Sequence, residues 1–331
     1  MCNASSQNLK VSIIIPVHNA EKTLERCINS VMTQGYDNIE CILVENGSSD
    51  HSAAVCDYYA DKFNRVITKS MDVSGVSDAR NLGLSIASGD IIGFCDADDW
   101  IEPGAIKRIV EEFWRNTRIA AVFGAFYIGT PQKEILDKVY RGLEPRLISP
   151  TKALQYTLIN DSVRGAVWNK YYRAEFLRKI EFDVDLSYCE DMHFNAKVLC
   201  RMDANDIVSI IHDPVYCYVQ TIGSLTHNPN NLYDENNNLK IIVAMRRIQV
   251  DCKLDKMTIG LLKMKIARFC IGSIQGDNPN TIQRGKLIND LEGNYVFLLR
   301  YIYHGNIRSN IKYAYRGFLI LMKSCRSQEA L

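Results

Sequence analysis

Val11–Val17 (VSIIIPV) is an almost unbroken apolar run of strand length. Asn19 follows at a helix N-cap position. In Ala20–Gln34 the residues Leu24, Cys27, Ile28, Val31 and Met32 recur at i, i+3, i+4, i+7 and i+8, one stripe of an amphipathic helix. A second apolar run, Ile39–Val44, breaks at the turn-forming Glu45-Asn46-Gly47-Ser48-Ser49-Asp50 and leads into a helix carrying Val55, Tyr58 and Tyr59. Val66–Thr68 predicts a short third strand, Ser77–Ser88 a helix through Ala79, Leu82, Gly83 and Ile86, and Asp90–Cys95 a fourth strand. Pro103, favoured in a first helical turn, starts a helix running to Asn116, and Ala120–Ile128 is the next strand.

Strands and helices that alternate with connections of a few residues predict the α/β class: a Rossmann-like, mostly parallel sheet flanked by helices on both faces. The regularity ends near Gly129. Residues 130–230 are mixed, with short strands at Ile207–Ile211 and Val215–Val219. From Leu239 onward the pattern is mostly helical, interrupted at Gly276–Asn280. The chain shows no internal repeat and no low-complexity segment.

The fourth strand ends abruptly in Asp96-Ala97-Asp98-Asp99. In an open α/β sheet, ligands bind at the carboxyl ends of the strands, and carboxylates crowded there repel unless a cation sits between them. The same edge gathers Pro16, His18 and Asn19 at the end of strand one, Glu45 and Asn46 at the end of strand two, and Gly75 to Arg80 at the start of the helix before strand four. This set suits a nucleotide: the base across the first two loops, the diphosphate near helix N-termini and Arg80, and a metal on Asp98. Locally, Asp96 and Asp98 also fit a polar loop before a helix, with Asp99 as a cap, and Arg80 fits an ion pair with an acidic neighbour. Neither GxGxxG after strand one nor GxxxxGK[ST] anywhere is present, which excludes a dinucleotide-redox fingerprint and a P-loop.

Composition narrows the class. The 331 residues are 47% apolar and 23% charged, ordinary values for a globular chain. A net charge of +1 argues against a dedicated nucleic-acid binder. Eleven cysteines without a CxxC pair fit a reducing compartment. The polar segment Met1–Lys10 lacks the apolar centre of a signal peptide, and no apolar run approaches the ~20 residues of a membrane span, so a cytoplasmic location is expected. Charge is uneven: Arg300 to Arg326 holds six Lys/Arg and no Asp/Glu. There Arg308, Lys312, Arg316 and Lys323 are interspersed with Ile311, Tyr315, Phe318, Leu319 and Met322. Such a helix either packs on the main domain or lies on an anionic membrane surface, peripheral on the inner face of the cytoplasmic membrane.

The segments VSIIIPVHNAEKTLERCINSVMTQ, IECILVENGSSD, GVSDARNLGLSIASGDIIGFCDADDW, AVWNKYYR and SYCEDMHF, in this order over residues 10 to 230, resemble the bacterial glycosyltransferases of family 2. The resemblance implies the GT-A fold and inverting transfer of a sugar from a nucleoside-diphosphate donor to an acceptor hydroxyl. It divides the chain into a catalytic domain over 1–235 (nucleotide-binding half about 10–129, acceptor half about 130–235) and a helical, basic extension over 236–331. By match to the family motif, Asp96 and Asp98 are the DxD pair on Mn(II) or Mg(II), with Asp98 the direct ligand. Asp191 matches the general base, with Glu190 beside it orienting acceptor or base. Pro16, His18, Asn46, Gly75, Arg80 and Ala97 fall on the donor side and Trp168 on the acceptor side. Two departures stand out. Glu45-Asn46 replaces the Asp-Asp pair that reads uracil, although the amide still offers an acceptor and a donor. Gln220–His227 resembles the late loop but lacks its basic residue after Tyr218, where Val219 and Gln220 follow. The implied acceptor is a lipid-linked oligosaccharide of capsule, O-antigen or exopolysaccharide synthesis, and UDP is the expected nucleotide. The alternatives are a non-catalytic nucleotide-sugar-binding scaffold of a glycan-assembly complex and a sugar nucleotidyltransferase. The latter needs a glycine-rich basic loop that His18-Asn19-Ala20-Glu21 does not supply.

Overall fold

The computed structural model describes residues 8–72, 75–132, 134–139, 146–159, 163, 165–220, 235–275, 281–301 and 307–328. In chain order its elements are β1 (Val11–Val17), α1 (Leu24–Met32), β2 (Ile39–Asn46), α2 (Ser52–Lys62), β3 (Val66–Met71), α3 (Val76–Ile86), β4 (Ile91–Phe94), β5 (Trp100–Ile101), α4 (Ala105–Arg115), β6 (Ile119–Gly129), β7 (Ile135–Val139), β8 (Leu147–Ile148), α5 (Pro150–Ile159), β9 (Lys170–Arg173), α6 (Glu190–Arg201), β10 (Ile207–Val219), α7 (Glu235–Asp251), α8 (Lys256–Gln275), α9 (Thr281–Arg300) and α10 (Ile307–Gln328). They form two compact units: residues 1–153, 166–184 and 201–220 in the first, and 154–165, 185–200 and 221–331 in the second.

The first unit is built on a sheet of strand order β3-β2-β1-β4-β9-β6-β10-β5, with β7 on β6 and β8 on β10. The pairs β1/β2, β2/β3, β1/β4 and β6/β10 are parallel. The run Val11–Val17 forms the interior strand β1 because both of its faces are covered. Val11, Ile13, Ile15 and Val17 join one apolar core with Leu24, Cys27, Ile28 and Val31 of α1 and Ile106, Ile109, Val110 and Phe113 of α4. The alternate residue Ile14 points the other way, toward α3. There Gly83 permits a close approach: a Cβ on it would lie 2.3 Å from Ile14 Cγ2. Helices therefore cover both faces, as the alternation predicts.

Four features differ from the sequence-based expectations. First, β9 inserts antiparallel between β4 and β6, so the sheet is mixed at its centre. Second, the two short strands expected at Ile207–Ile211 and Val215–Val219 are one strand, β10, with register shifts around Pro214. A proline lacks the ladder N–H and is tolerated at such a bulge. Third, α1 starts at Leu24, and Asn19 is no N-cap: its φ of 49° is left-handed and its side chain serves the neighbouring loop. Fourth, α4 starts at Ala105 after Gly104, which takes φ 68°, so Asp99 caps no helix.

In the second unit α8 is apolar around most of its circumference, burying Leu261, Leu262, Met264, Ile266, Ala267, Cys270, Ile271 and Ile274. A helix with this pattern belongs at the centre of a bundle. The expected break at Gly276–Asn280 lies outside the described residues.

Candidate functional site

At the carboxyl ends of β1 and β2 a chain of hydrogen bonds stitches two loops together. The backbone N–H of Ser49 donates to Asn19 Oδ1 at 2.9 Å, which orients the amide so that Asn19 Nδ2 faces His18 Nε2 at 3.1 Å. His18 Nδ1 lies 2.9 Å from the Asn46 carbonyl. A carbonyl only accepts, so Nδ1 carries the proton and Nε2 accepts from the Asn19 amide. Both ring nitrogens are thereby used by the protein, and the exposed imidazole offers a ligand its flat face. Asn19 N–H donates to Ser48 Oγ at 3.0 Å, Ala20 N–H to Ser52 Oγ at 2.8 Å and Glu21 N–H to Asp50 Oδ2 at 3.1 Å. Glu45 and Asn46 are buried, and Glu45 Oε1 accepts the Ser48 N–H at 2.6 Å. Pro16 sits half-buried in β1, paired with Val44 of β2.

The acidic loop after β4 is held from three sides. Arg80 on α3, 4% exposed, donates to Asp96 Oδ1 at 3.1 Å and lies 5.3 Å from the Phe182 ring centre. It is thus an ion-pair partner of Asp96 in the interior. Phe182 is itself clamped by Asn81, which accepts its N–H at 2.7 Å and donates to its carbonyl at 2.9 Å. From α1, Arg26 donates to the Asp98 carbonyl at 2.5 Å and the Pro131 carbonyl at 3.0 Å, with its guanidinium 4.8 Å from the Trp100 ring centre. From β10, the Tyr216 hydroxyl donates to Asp99 Oδ2 at 2.7 Å and accepts the Asp96 N–H at 3.0 Å, while Val219 N–H donates to Asp99 Oδ1 at 2.7 Å.

Three neighbouring carboxyls therefore have three different environments. Asp96 is paired with Arg80. Asp99 is fully buried, and burial plus the Asp98 and Asp96 charges push its carboxyl well above the ordinary range. Asp98 is exposed at the tip, its carboxyl pushed up to about 6 by desolvation among surrounding atoms and by Asp96. A carboxylate raised by a like-charged neighbour gains from a cation. Among the described residues no three His, Cys, Asp or Glu side chains form a complete metal cage. Asp98 with Asp96 fits the other kind of site, in which a hard divalent ion takes one or two protein carboxylates and completes its shell with substrate phosphates and water.

The remaining expected site residues are distributed as follows. Ala97 is buried within the acidic loop, and Gly75 precedes α3, its N–H accepted by Asp78 Oδ2 at 3.2 Å. Trp168 is 4% exposed, stacked 4.6 Å from Tyr216 and 5.5 Å from Tyr218, with Phe126 edge-on at 4.7 Å. It presents almost no surface of its own. Glu190 and Asp191 belong to the second unit, half-buried in the first turn of α6, where the helix dipole favours carboxylates. The inner face of α6 is anchored by His193, whose Nε2 meets Asp251 Oδ2 of α7 at 2.8 Å, and by Asn195, which donates to the Gly165 carbonyl. Residues 221–227 of the late loop lie outside the described residues. Arg26 and Tyr216 are not among the site residues expected from the sequence. Arg26 lies off the apolar stripe of α1, where a charged residue is ordinary, so adjacent sequence did not mark the first. Nothing local marked the second, whose partners are about 120 positions away.

Comparison with known proteins agrees with this architecture. The model of the family described as Glycosyl transferase family 2 matches residues 12–180. Glycosyltransferase GlyA of Streptococcus pneumoniae is 28% identical over 228 residues, which cover 66% of this chain and 31% of GlyA. The uncharacterized glycosyltransferase EpsJ of Bacillus subtilis is 30% identical over 229 residues, covering 66% of this chain and 63% of EpsJ. The chain thus spans less than two thirds of either relative. In structure it resembles S. aureus TarS in complex with UDP, with a TM-score of 0.64 and 18% identity over 97% of this chain and 92% of that one. That likeness extends the shared fold, a sheet flanked by helices with C-terminal helices, to nearly the whole molecule. The family match covers more than half of the sequence and includes β1, β2, β4 and the acidic loop, and the chain belongs to glycosyl transferase family 2.

Proposed function

We propose that this protein is an inverting glycosyltransferase that moves a sugar from a nucleoside diphosphate, with UDP the preferred nucleotide, to a hydroxyl of a lipid-linked oligosaccharide in the synthesis of a surface polysaccharide. The observation that carries the reading is the convergence, at the carboxyl ends of β1, β2 and β4, of the His18–Asn46 relay with Asp96 and Asp98. Residues 10–129 serve the donor, 130–235 the acceptor, and 236–331 form the basic helical extension. The protein works in the cytoplasm, at the inner membrane face. Family membership supports the chemistry, and a UDP complex of the same fold supports the nucleotide.

In this reading His18 lays its ring against base or ribose, the Asn46 amide contacts the base, and Pro16 shapes the floor between them. Gly75 opens the N-terminus of α3 toward the diphosphate, and Ala97 leaves room beside it. Arg80 acts through Asp96, which it holds in place. Asp98, with Asp96, holds Mn(II) or Mg(II), which when bound neutralises charge on the leaving diphosphate. Asp191 accepts the acceptor's hydroxyl proton as that oxygen bonds to the anomeric carbon. The bond from that carbon to the diphosphate oxygen breaks, and the nucleoside diphosphate departs with the electron pair. Glu190 orients the acceptor, and Trp168 contributes through the tyrosines it stacks on.

The test is transfer by Asp98→Asn and Asp191→Asn variants with UDP-sugars and a synthetic lipid-diphosphate acceptor. Both should lose about a hundredfold or more in kcat with the urea midpoint retained. Unimpaired turnover in the pair removes the assignment.

A further inference from the structure

Helix α10 keeps four of its large apolar residues, Ile311, Tyr315, Phe318 and Leu319, exposed. Asn310, Ala314 and Gly317, on one face of the helix, are buried. Gly317 lies against the Tyr295 ring, where a Cβ would come within 2.7 Å, and the Tyr295 hydroxyl donates to the Ala314 carbonyl at 2.6 Å. Arg268 of α8 donates to Asn310 Oδ1 at 3.1 Å and Ser309 Oγ at 3.2 Å, and its guanidinium stands 5.0 Å from the Tyr313 ring centre. These contacts fix the rotation of the helix about its own axis.

With that face locked inward, Ile311, Tyr315, Phe318 and Leu319 are 52%, 66%, 51% and 41% exposed. At about 100° per residue they make one continuous stripe. Exposed Arg308 and Lys312 and half-buried Arg316 border it on one flank. The 22-residue helix carries five Lys/Arg and no Asp/Glu. No helix among the described residues is long and apolar enough to cross a membrane.

We propose that α10 docks this protein on the surface of an anionic phospholipid bilayer, lying in the interface with the Ile311–Leu319 stripe among the acyl chains and the Arg308–Lys312–Arg316 flank on the lipid phosphates. A locked helix with a bulky apolar stripe beside an acid-free cationic flank has the composition of an interfacial anchor. A second copy of the chain fits this face less well, because a two-fold contact would bring the same cations together. This docking rests on the membrane location proposed above and uses none of the residues assigned there to donor or acceptor.

The test is sedimentation of the full chain with vesicles of pure phosphatidylcholine and of phosphatidylcholine mixed with phosphatidylglycerol. Binding is expected to the anionic vesicles alone and to weaken with salt. Phe318→Ser/Leu319→Ser and Arg308→Glu/Lys312→Glu should each lower it by about tenfold or more. Both pairs are exposed, so circular dichroism should be unchanged, and transfer to a soluble saccharide acceptor should persist even when vesicle binding is gone. Equal binding to both vesicle types, or wild-type binding by both variants, overturns the proposal. So does a lipid-free dimer that Phe318→Ser/Leu319→Ser dissociates.

Discussion

Replacing Arg26 by alanine removes two charged donors at once, one from the Asp98 carbonyl and one from the Pro131 carbonyl. Asp98 then keeps its carboxylate but loses the tether that aims it. Such a change should lower kcat/KM by about tenfold while the unfolding midpoint moves little, and Arg26→Lys should recover only part of the loss because an ammonium lacks the fork. Wild-type kinetics in Arg26→Ala would remove the clamp from the account. Tyr216→Phe acts differently, since it strips one donor from fully buried Asp99 and the acceptor from the Asp96 N–H. Leaving those groups unmet costs about 1–3 kcal/mol, measurable by urea denaturation. At this scale Asp96 and Asp98 were legible because an apolar run stops at them. The burial of Asp99 was not, because its partners sit on β10 and adjacent sequence says nothing about them.

Among the elements, α3 and β1 approach too closely for any side chain at position 83. Gly83→Ala should cost about 1–3 kcal/mol, read as a lowered urea midpoint, because Ile14 is enclosed in the sheet and cannot yield. At the opposite end of the sheet, Glu40 of β2 is buried, which works against its charge. Hydrogen bonds from Lys10, Ser12 and Ser88 outweigh that and hold its carboxyl below the ordinary value of 4.5. A lowered folded value means that its contribution is fully present above about pH 4.5 and is lost as pH falls through the folded value. Glu40→Gln should therefore be less stable at pH 7 and show a flatter acid limb when the urea midpoint is plotted against pH. The alternation of β1 through α4 was legible because β1, β2 and β4 are short, largely apolar and bounded by turn residues. Strand β9 was not: Lys170–Arg173 has four residues, two of them charged, and its place between β4 and β6 is set by pairing with residues far away in the chain.

Over the whole molecule, the expected helical character after Leu239 holds, but periodicity could not show which face of each helix is covered. In α10 the buried face is the one with small residues, a reversal that no hydrophobicity pattern announces. Cysteines follow burial more simply. The described ones are all unbridged, and burial first, with nearby acidic groups second, pushes the Cys56, Cys217 and Cys270 thiols up to about 12. These three should resist iodoacetamide in the native protein and react only as it unfolds, a contrast that mass spectrometry resolves. The relay from Ser49 through Asn19 and His18 to Asn46 has a consequence of another kind. It assigns the proton to Nδ1, so the imidazole nitrogens of His18 should give the signature of that tautomer in ¹⁵N spectra. A nucleobase stacked on the ring would move its carbon-bound protons upfield by ring current while the nitrogen signals stay in place. A single histidine would then report occupancy of the proposed donor site as a spectroscopic signal, in the absence of any turnover.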